Sequence, residues 1–390
     1  MMRFTVRRDL LPAIANKTEA VLQACDTFTS AESSDSEHEL PADVAAQLAD
    51  STLKSVSKRL GNSEYMSGRA QTISKLPHFK RDEIEIGNLI DHGGFAAVYE
   101  IKSISKPSEL TVHKKKRYVM KNATQTETTT FQHLTTRAKH LAIEGHFLSS
   151  LDHENIIKLR GWSTGGLLSY KSNPRLDAFF LIFDYLPEML TDRMERWAQE
   201  QRQRVPFWLR RPRVTASDTL LCERIKVGLD IASALEYLHD KRIIYRDLKP
   251  SNVGFQSGNG TLKLFDFGLA VELPLQDDLD QAYKFPGRAG TRRYMSPEVL
   301  LERPYNVKAD VYSFSILLWE IMALRKPKLP GAHLQVNIPN VKASWPAELK
   351  DILKRGWCMD LMSRAHMKEI RYRLSRLHSS LVTKERLEDL

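Results

Sequence analysis

Tyr245-Arg246-Asp247-Leu248-Lys249-Pro250-Ser251-Asn252, followed 19 residues after Asp247 by Asp266-Phe267-Gly268, is the stretch on which the reading of this 390-residue chain turns. A carboxylate and an amide five positions apart on one loop can serve a single chemistry. Asp247 can accept a hydrogen bond from an attacking hydroxyl, while Asn252 turns back to ligate a magnesium ion. Asp266 supplies a second hard oxygen, and Mg²⁺ is commonly held by one or two carboxylates together with substrate phosphates. Lys249 can neutralise charge on a transferring group. Phosphoryl transfer asks for little else: an oriented hydroxyl, held phosphates and compensated charge. Asp-Phe-Gly by itself is a trivial tripeptide, whereas the two segments at this spacing are specific.

Working outward, the texture on either side of this stretch differs. Glu83 to Ile90, Ala97 to Ser103 and Tyr118 to Lys121 are short, β-branched or aromatic runs between turn residues, which predicts strands. Thr130 to Ser150 reads as a helical stretch with apolar positions at Leu141, Phe147 and Leu148, continued by Leu151. Phe179 to Leu186 is a further apolar strand. From Thr219 onward helices dominate; Leu221, Ile225 and Leu229, then Ala232, Leu235 and Leu238, share a face. Strands first and helices later predict an α+β pair of lobes with a cleft between them. No internal repeat is visible.

At Asp247, Asn252 and Asp266 the chain resembles the eukaryotic protein kinases, and the other motifs of that family follow in order. The resemblance implies a two-lobed kinase fold, ATP and Mg²⁺ as ligands, and protein substrates carrying Ser or Thr. Lys121, in Val119-Met120-Lys121, is similar to the lysine that grips the α- and β-phosphates. Val119 and Lys121 share a strand face by the two-residue period. Glu144, 23 residues later and followed by His153-Glu154-Asn155-Ile156-Ile157, would pair with Lys121. Phe183 would be the gatekeeper, with Asp184 to Leu186 offering backbone groups to adenine. Gly290-Thr291-Arg292-Arg293-Tyr294-Met295-Ser296-Pro297-Glu298 resembles the end of an activation segment, in which Glu298 would pair with Arg364. Asp310 would anchor the catalytic loop. Lys249 and Thr291 go with Ser/Thr specificity in the family, whereas tyrosine kinases carry an alanine-and-arginine pattern in that loop. Ser313 to Glu320 and Leu159-Arg160-Gly161-Trp162 lean toward the tyrosine-kinase-like group, which leaves dual specificity open.

Four places depart from the family's pattern. Asp91-His92-Gly93-Gly94-Phe95-Ala96-Ala97-Val98 stands at the glycine-rich loop with Asp91 and Ala96 in place of glycines. Gly93 and Gly94 keep the backbone freedom that lets a chain approach phosphate, and Val98 closes the motif. Asp91 is expected to weaken ATP binding; the alternative is a pseudokinase scaffold with little turnover. Tyr245 replaces the usual histidine and reads as packing. Gly254 replaces the leucine beneath adenine, and the larger Val119 above it suggests an exchange of volume across the ring. Leu269 to Gly290 contains no Ser or Thr, so Asp277, Asp278 or Asp280 is expected to stand in for a phosphate on Arg246.

The resemblance spans about Ile84 to Leu377. Accordingly the sequence divides into a mostly disordered Ser-rich, acidic arm over 1–80, a kinase domain over 81–378 with its small lobe at 81–183 and large lobe at 187–378, and a tail at 379–390. Leu10 to Leu22 could form one amphipathic helix ahead of the polar run Thr27 to Asp43. Hydrophobic residues make up 42% and charged residues 27%, which excludes global disorder. The longest apolar stretch, Val311 to Leu324, contains Glu320 and reads as a buried helix, with no membrane span. Three scattered cysteines predict neither disulfides nor a metal site, and a reducing, intracellular, soluble, cytoplasmic or nuclear setting is expected, with organelle targeting by the basic start Met1 to Arg8 as the alternative. Fifty-eight basic residues against 48 acidic ones leave +10, without any nucleic-acid-reading motif, so nucleic acid is not an expected partner. Arg202, Arg204, Arg210, Arg211 and Arg213 around Pro206-Phe207-Trp208 read as a solvated insertion or as a dock for an acidic partner. His113 to Arg117 reads as a basic hairpin tip.

Overall fold

Side chains alternating along the fourth strand sort the first half of the molecule into layers. The computed structural model describes residues 39–60, 76–92, 96–105, 110, 117–123, 130–202, 216–274, 278–329 and 339–388. In chain order the first half comprises α1 (Ala42–Leu60), β1 (His78–Phe79), β2 (Ile84–His92), β3 (Ala96–Ile104), β4 (Tyr118–Ala123), α2 (Phe131–Leu148), β5 (Leu159–Ser163) and β6 (Phe180–Asp184). The strands form one sheet in the order β1-β5-β6-β4-β3-β2, antiparallel except for β1 beside β5. Successive side chains of a strand point to opposite faces. Tyr118 and Met120 therefore join Phe180, Ile182, Ile101 and Phe79 in one apolar cluster. Val119 looks the other way, into the larger cluster with Leu181, Phe183 and α2 residues Leu141, Ala142 and Phe147. Thr130 caps α2, its hydroxyl accepting from His133 N at 3.4 Å.

The second half comprises β7 (Glu188–Met189), α3 (Leu190–Arg202), α4 (Ala216–Asp240), β8 (Ile243–Ile244), β9 (Val253–Phe255), β10 (Leu262–Leu264), β11 (Val271–Glu272), α5 (Lys308–Ala323), α6 (Ala347–Gly356) and α7 (Met367–Glu388). Every residue of α5 except Trp319 is buried, and α4 lies against both α5 and α7. A helix that is buried on all sides is the centre of a large lobe. Among the described residues no helix is long and apolar enough to cross a membrane. The expected α+β, two-lobed arrangement is present: a sheet with α2 above, a helical body below, joined after β6.

Three boundaries differ from the sequence reading. Residues 42–60 of the supposedly disordered arm are the helix α1. Their composition is polar, but Val44, Ala45, Leu48, Ala49, Thr52 and Val56 recur at helical spacing and are buried against α2 and the helical turn Ser169–Ser172. Leu40 N–H donates to Pro174 O at 2.8 Å, and Asp50 pairs with Lys171 at 2.7 Å. The strand expected over Phe179 to Leu186 pairs only from Phe180 to Asp184, because Tyr185 and Leu186 leave the ladder to connect the lobes. The tail drawn from residue 379 is the last turns of α7. Leu10 to Leu22, Thr27 to His38, Gly93 to Phe95, His113 to Lys116 and the insertion from Arg204 to Arg213 lie outside the described residues.

Candidate active site

Two short ribbons bring the deciding segments side by side. β8 pairs with β11 through Ile244 and Val271, and β9 pairs with β10 through Val253 and Leu264. Between them run Tyr245–Asn252 and Phe265–Ala270. Tyr245 is fully buried, edge-on to Phe267 with ring centroids 5.1 Å apart, and its hydroxyl donates to Phe265 O. Burial, then the Asp266 and Asp247 anions, push its phenol well above the ordinary range. The expected packing role is what the ring performs. Asp310 of α5 accepts from Tyr245 N at 2.7 Å and from Arg246 N at 2.9 Å, with His239 Nε2 3.1 Å away. These bonds hold Arg246 at φ 73°, a left-handed conformation that a non-glycine residue keeps only when its surroundings impose it.

Asp247 is oriented from three sides. Lys249 Nζ donates to one carboxylate oxygen at 2.8 Å, and Thr291 Oγ1 donates to the other at 2.6 Å. Asn252 Nδ2 donates to the Asp247 carbonyl at 2.8 Å and to its carboxylate at 3.2 Å. Thr291 reaches this position because Gly290, at φ 111°, lets the chain pass Arg246 O, which a Cβ would meet at 2.2 Å.

Across the cleft Lys121 Nζ lies 2.6 Å from Glu144 Oε2 and 3.2 Å from Asp266 Oδ1. Glu144 Oε1 also accepts from Asp266 N at 3.2 Å, so one carboxylate of α2 holds both the lysine and the Asp-Phe-Gly backbone. Burial alone would lower the Lys121 pKa, but Asp266 and Glu144 more than offset it, and the ammonium is held firmly charged. Burial likewise opposes ionisation of Asp266, yet Lys121, with Lys249 adding to it, keeps that carboxyl below its usual value. At Glu144 burial favours the neutral acid and the ammonium 2.6 Å away favours the anion. With Lys121 cationic and two donors on the carboxylate, the contact is an ion pair. Asp266, at φ 67°, is the other strained residue of the site, and 38% of its side chain remains accessible.

Val98 and Val119, expected at adenine, lie on strands of the sheet that carries Lys121. Val98 stands opposite Lys121 in the sheet, and Val119 opposite Phe183. Asp184 does not expose its carboxylate: Arg160 grips it with two bonds, at 2.9 and 2.7 Å. Tyr185 N–H donates to Arg117 O at 3.0 Å. The proposed exchange of volume between Gly254 and Val119 needs correction. A Cβ at Gly254 would meet Leu186 Cδ1 at 2.8 Å and Met189 Cε at 3.3 Å, so Leu186 and Met189 already occupy the missing side chain's room. Asp91 is exposed in β2, opposite Val98, and Gly93 and Gly94 lie outside the described residues.

The phosphate stand-in is also overturned for the two aspartates that are described. Asp280 pairs with Lys308 at 2.7 Å and with His366 Nε2 at 3.1 Å, and Asp278 Oδ1 accepts from Asp280 N at 3.2 Å. Arg246 instead donates to Leu269 O at 2.6 Å and to Tyr305 Oη at 3.3 Å. Lys308 and His366 take the charge of Asp280, and Asp277 lies outside the described residues. Glu298 and Arg364 do form the expected pair, at 2.6 and 3.1 Å.

The donors suit a hard cation carried in by a substrate. Among the described residues no group of three His, Cys, Asp or Glu side chains forms a self-sufficient metal cage. Asp266 and Asn252 offer oxygen ligands of the kind Mg²⁺ accepts when phosphates and water complete its shell. Two contacts carried no signal in the sequence: Arg160 on Asp184, and Arg59 of α1, whose guanidinium donates to Ala270 O at 2.6 Å. Neither spacing nor motif marks them, because each partner is chosen by packing.

Comparison with known proteins agrees with this geometry. A family model described as protein kinase domain matches residues 84–374. The dual specificity protein kinase shkB of Dictyostelium discoideum is 36% identical over 160 residues, which is 38% of this chain and 24% of that protein. Two Arabidopsis thaliana proteins are also similar. Serine/threonine-protein kinase VIK is 33% identical over 168 residues, covering 40% of this chain and 38% of its own length. Serine/threonine-protein kinase STY46 is 34% identical over 153 residues, covering 37% and 25%. The chain thus spans well under two thirds of each of these relatives. With a family match across both lobes and the cleft, the chain belongs to the eukaryotic protein kinases.

Proposed function

We propose that this chain transfers the γ-phosphoryl group of ATP to Ser and Thr hydroxyls of protein substrates. The observation that carries the proposal is the coexistence of two completed arrangements: Asp247 held by Lys249 and Thr291, and Lys121 held between Glu144 and Asp266. Asp247 accepts the hydrogen bond of the substrate hydroxyl and aims its oxygen at phosphorus. Lys249, already beside that carboxylate, lies where charge grows on the transferring group. Lys121 positions the α- and β-phosphates, and Glu144 keeps its ammonium from swinging away. Val98, Val119 and Leu186 enclose adenine, with Asp184 and Leu186 supplying backbone groups at the hinge. Asp266 and Asn252 would hold Mg²⁺, which would supply positive charge to offset that of the phosphates. Lys249, Thr291 and the names of the plant relatives support Ser/Thr as the acceptor class. The pseudokinase reading is not favoured, since each catalytic side chain is present and engaged.

The test is transfer of radiolabelled phosphate to a degenerate peptide library with Ser, Thr or Tyr at the fixed position. Label is expected on Ser and Thr peptides, and Asp247→Asn should lower it ~10²–10⁴-fold, the usual loss of an aligned acid–base group. Equal labelling by wild type and Asp247→Asn would overturn the assignment. Transfer to Tyr peptides alone would overturn the acceptor class.

A further inference from the structure

Two guanidinium groups from distant parts of the sequence meet on one carbonyl. Arg246 Nε donates to Leu269 O at 2.6 Å. Arg59 NH2 donates to the same oxygen at 2.9 Å and to Ala270 O at 2.6 Å. Leu269 and Ala270 directly follow Asp266-Phe267-Gly268, and Ala270 N–H returns to Phe267 O at 2.9 Å, so Arg59 secures the turn out of the metal-binding triplet. Arg59 sits in the last turn of α1, whose inner residues Ala45, Leu48, Ala49 and Val56 share one apolar cluster with Leu134, Ala138, Leu141 and Phe147 of α2. Helix α2 carries Glu144. One element outside the family match thus touches both α2 and the Asp266 turn.

Bringing these cations together is costly. Burial first, and Arg246 second, draw the Arg59 pKa down to about 10. Among the described residues no carboxylate stands within ion-pair distance of either guanidinium, and peptide carbonyls with the Tyr305 hydroxyl provide the compensation. In addition, Leu269 to Gly290 contains no Ser or Thr whose phosphorylation could draw Arg246 into an ordered loop. The Arg246 guanidinium bonds the backbone directly.

We infer that Arg59 is a positioning residue of the phosphotransfer site, through which α1 holds α2 and the Asp266 turn in the arrangement that joins Lys121, Glu144 and Asp266. Readiness for catalysis is then built into the chain by Ala42–Leu60 and does not wait for Ser/Thr phosphorylation of residues 269–290. This inference rests on the phosphotransfer reading above, and its test separates the two.

Arg59 is only partly buried, so Arg59→Ala should fold, which a thermal unfolding curve checks. In the full chain Arg59→Ala is expected to lower kcat by about 10–100-fold, the scale on which a misplaced catalytic group slows reaction, with KM for the peptide little changed. Arg59→Lys should recover part of the loss, and exposed Lys54→Ala on the same helix should behave as wild type. Amide hydrogen exchange over Asp266–Glu272 should quicken in Arg59→Ala, a readout independent of turnover. Full kcat and unchanged exchange in Arg59→Ala, while Asp247→Asn abolishes transfer, would sink this inference and leave the kinase reading standing. Transfer insensitive to Asp247→Asn would sink both.

Discussion

At Asp247 a lysine and an asparagine of its own loop and a threonine 44 residues away converge on one aspartate. Lys249 and Asn252 were legible because they lie within the same motif. Thr291 was legible only as a marker of acceptor class, since nothing in its spacing says that it touches the carboxylate. Lys121 shows the same limit: a strand lysine is ordinarily a solvated charge, and its burial between Glu144 and Asp266 comes from the packing of α2. His140, next to this cluster, offers a pH test. Burial first, then Arg59, with Lys139 and Arg246 adding and Asp266 opposing, pull its pKa from 6.5 to about 4. Between those values the unfolded chain binds more protons than the folded one, so stability is full above 6.5 and falls as pH drops toward 4. His140→Gln should flatten that decline by at most about 1.4 kcal/mol per pH unit, as read from urea unfolding at several pH values. His146 and His153, also lowered chiefly by burial, would add to the slope that remains, as would carboxyls held low by their partners such as Asp266 and Asp280. Identical slopes for wild type and variant would contradict the assignment.

Among the elements, β2, β3, β4, β6 and α4 were readable because each carries its own period, two or 3.6 residues, over a mostly apolar run, whereas the short β5 was not read as a strand. Helix α1 was not. Its surroundings are rich in Ser and acidic residues, and its stripe of small and aliphatic residues gains meaning only when α2 and the Ser169–Ser172 turn cover it. If α1 folds with the lobes as one cooperative unit, Leu48→Ala should cost about 2–5 kcal/mol, as deleting a fully buried leucine does. Urea unfolding monitored by circular dichroism measures this. A cost near zero, with a separate low-urea transition, would show that α1 detaches by itself. The acidic run teaches the converse lesson. Asp278 and Asp280 have the right charge and neighbourhood for Arg246, yet Lys308 and His366 lie closer in space and take Asp280.

For the molecule as a whole, the Glu298–Arg364 pair ties the end of the activation segment to the loop before α7. Arg364 is fully buried and also donates to Cys358 O at 2.9 Å and Lys308 O at 3.0 Å. Arg364→Ala should therefore destabilise by about 3–5 kcal/mol, since it strands a buried carboxylate. Glu298→Gln in the same chain should return part of that loss. Thermal unfolding of both variants checks this, and a change in Arg364→Ala no larger than that of an exposed site would contradict the role given to the pair. Fold class, the likeness of residues 245–252 and Asp266-Phe267-Gly268 to the family's motifs, and the order of the two lobes were legible in the amino-acid sequence alone, because each is written in local period or in residues only a few positions apart. Tertiary structure alone decided that Ala42–Leu60 belongs to the folded body, that Leu186 fills the space at Gly254, and that Arg59 meets Arg246 on the Leu269 carbonyl. Those choices depend on which surfaces are left to be covered once the elements pack, and contacts between residues so far apart in the chain leave no local pattern to read.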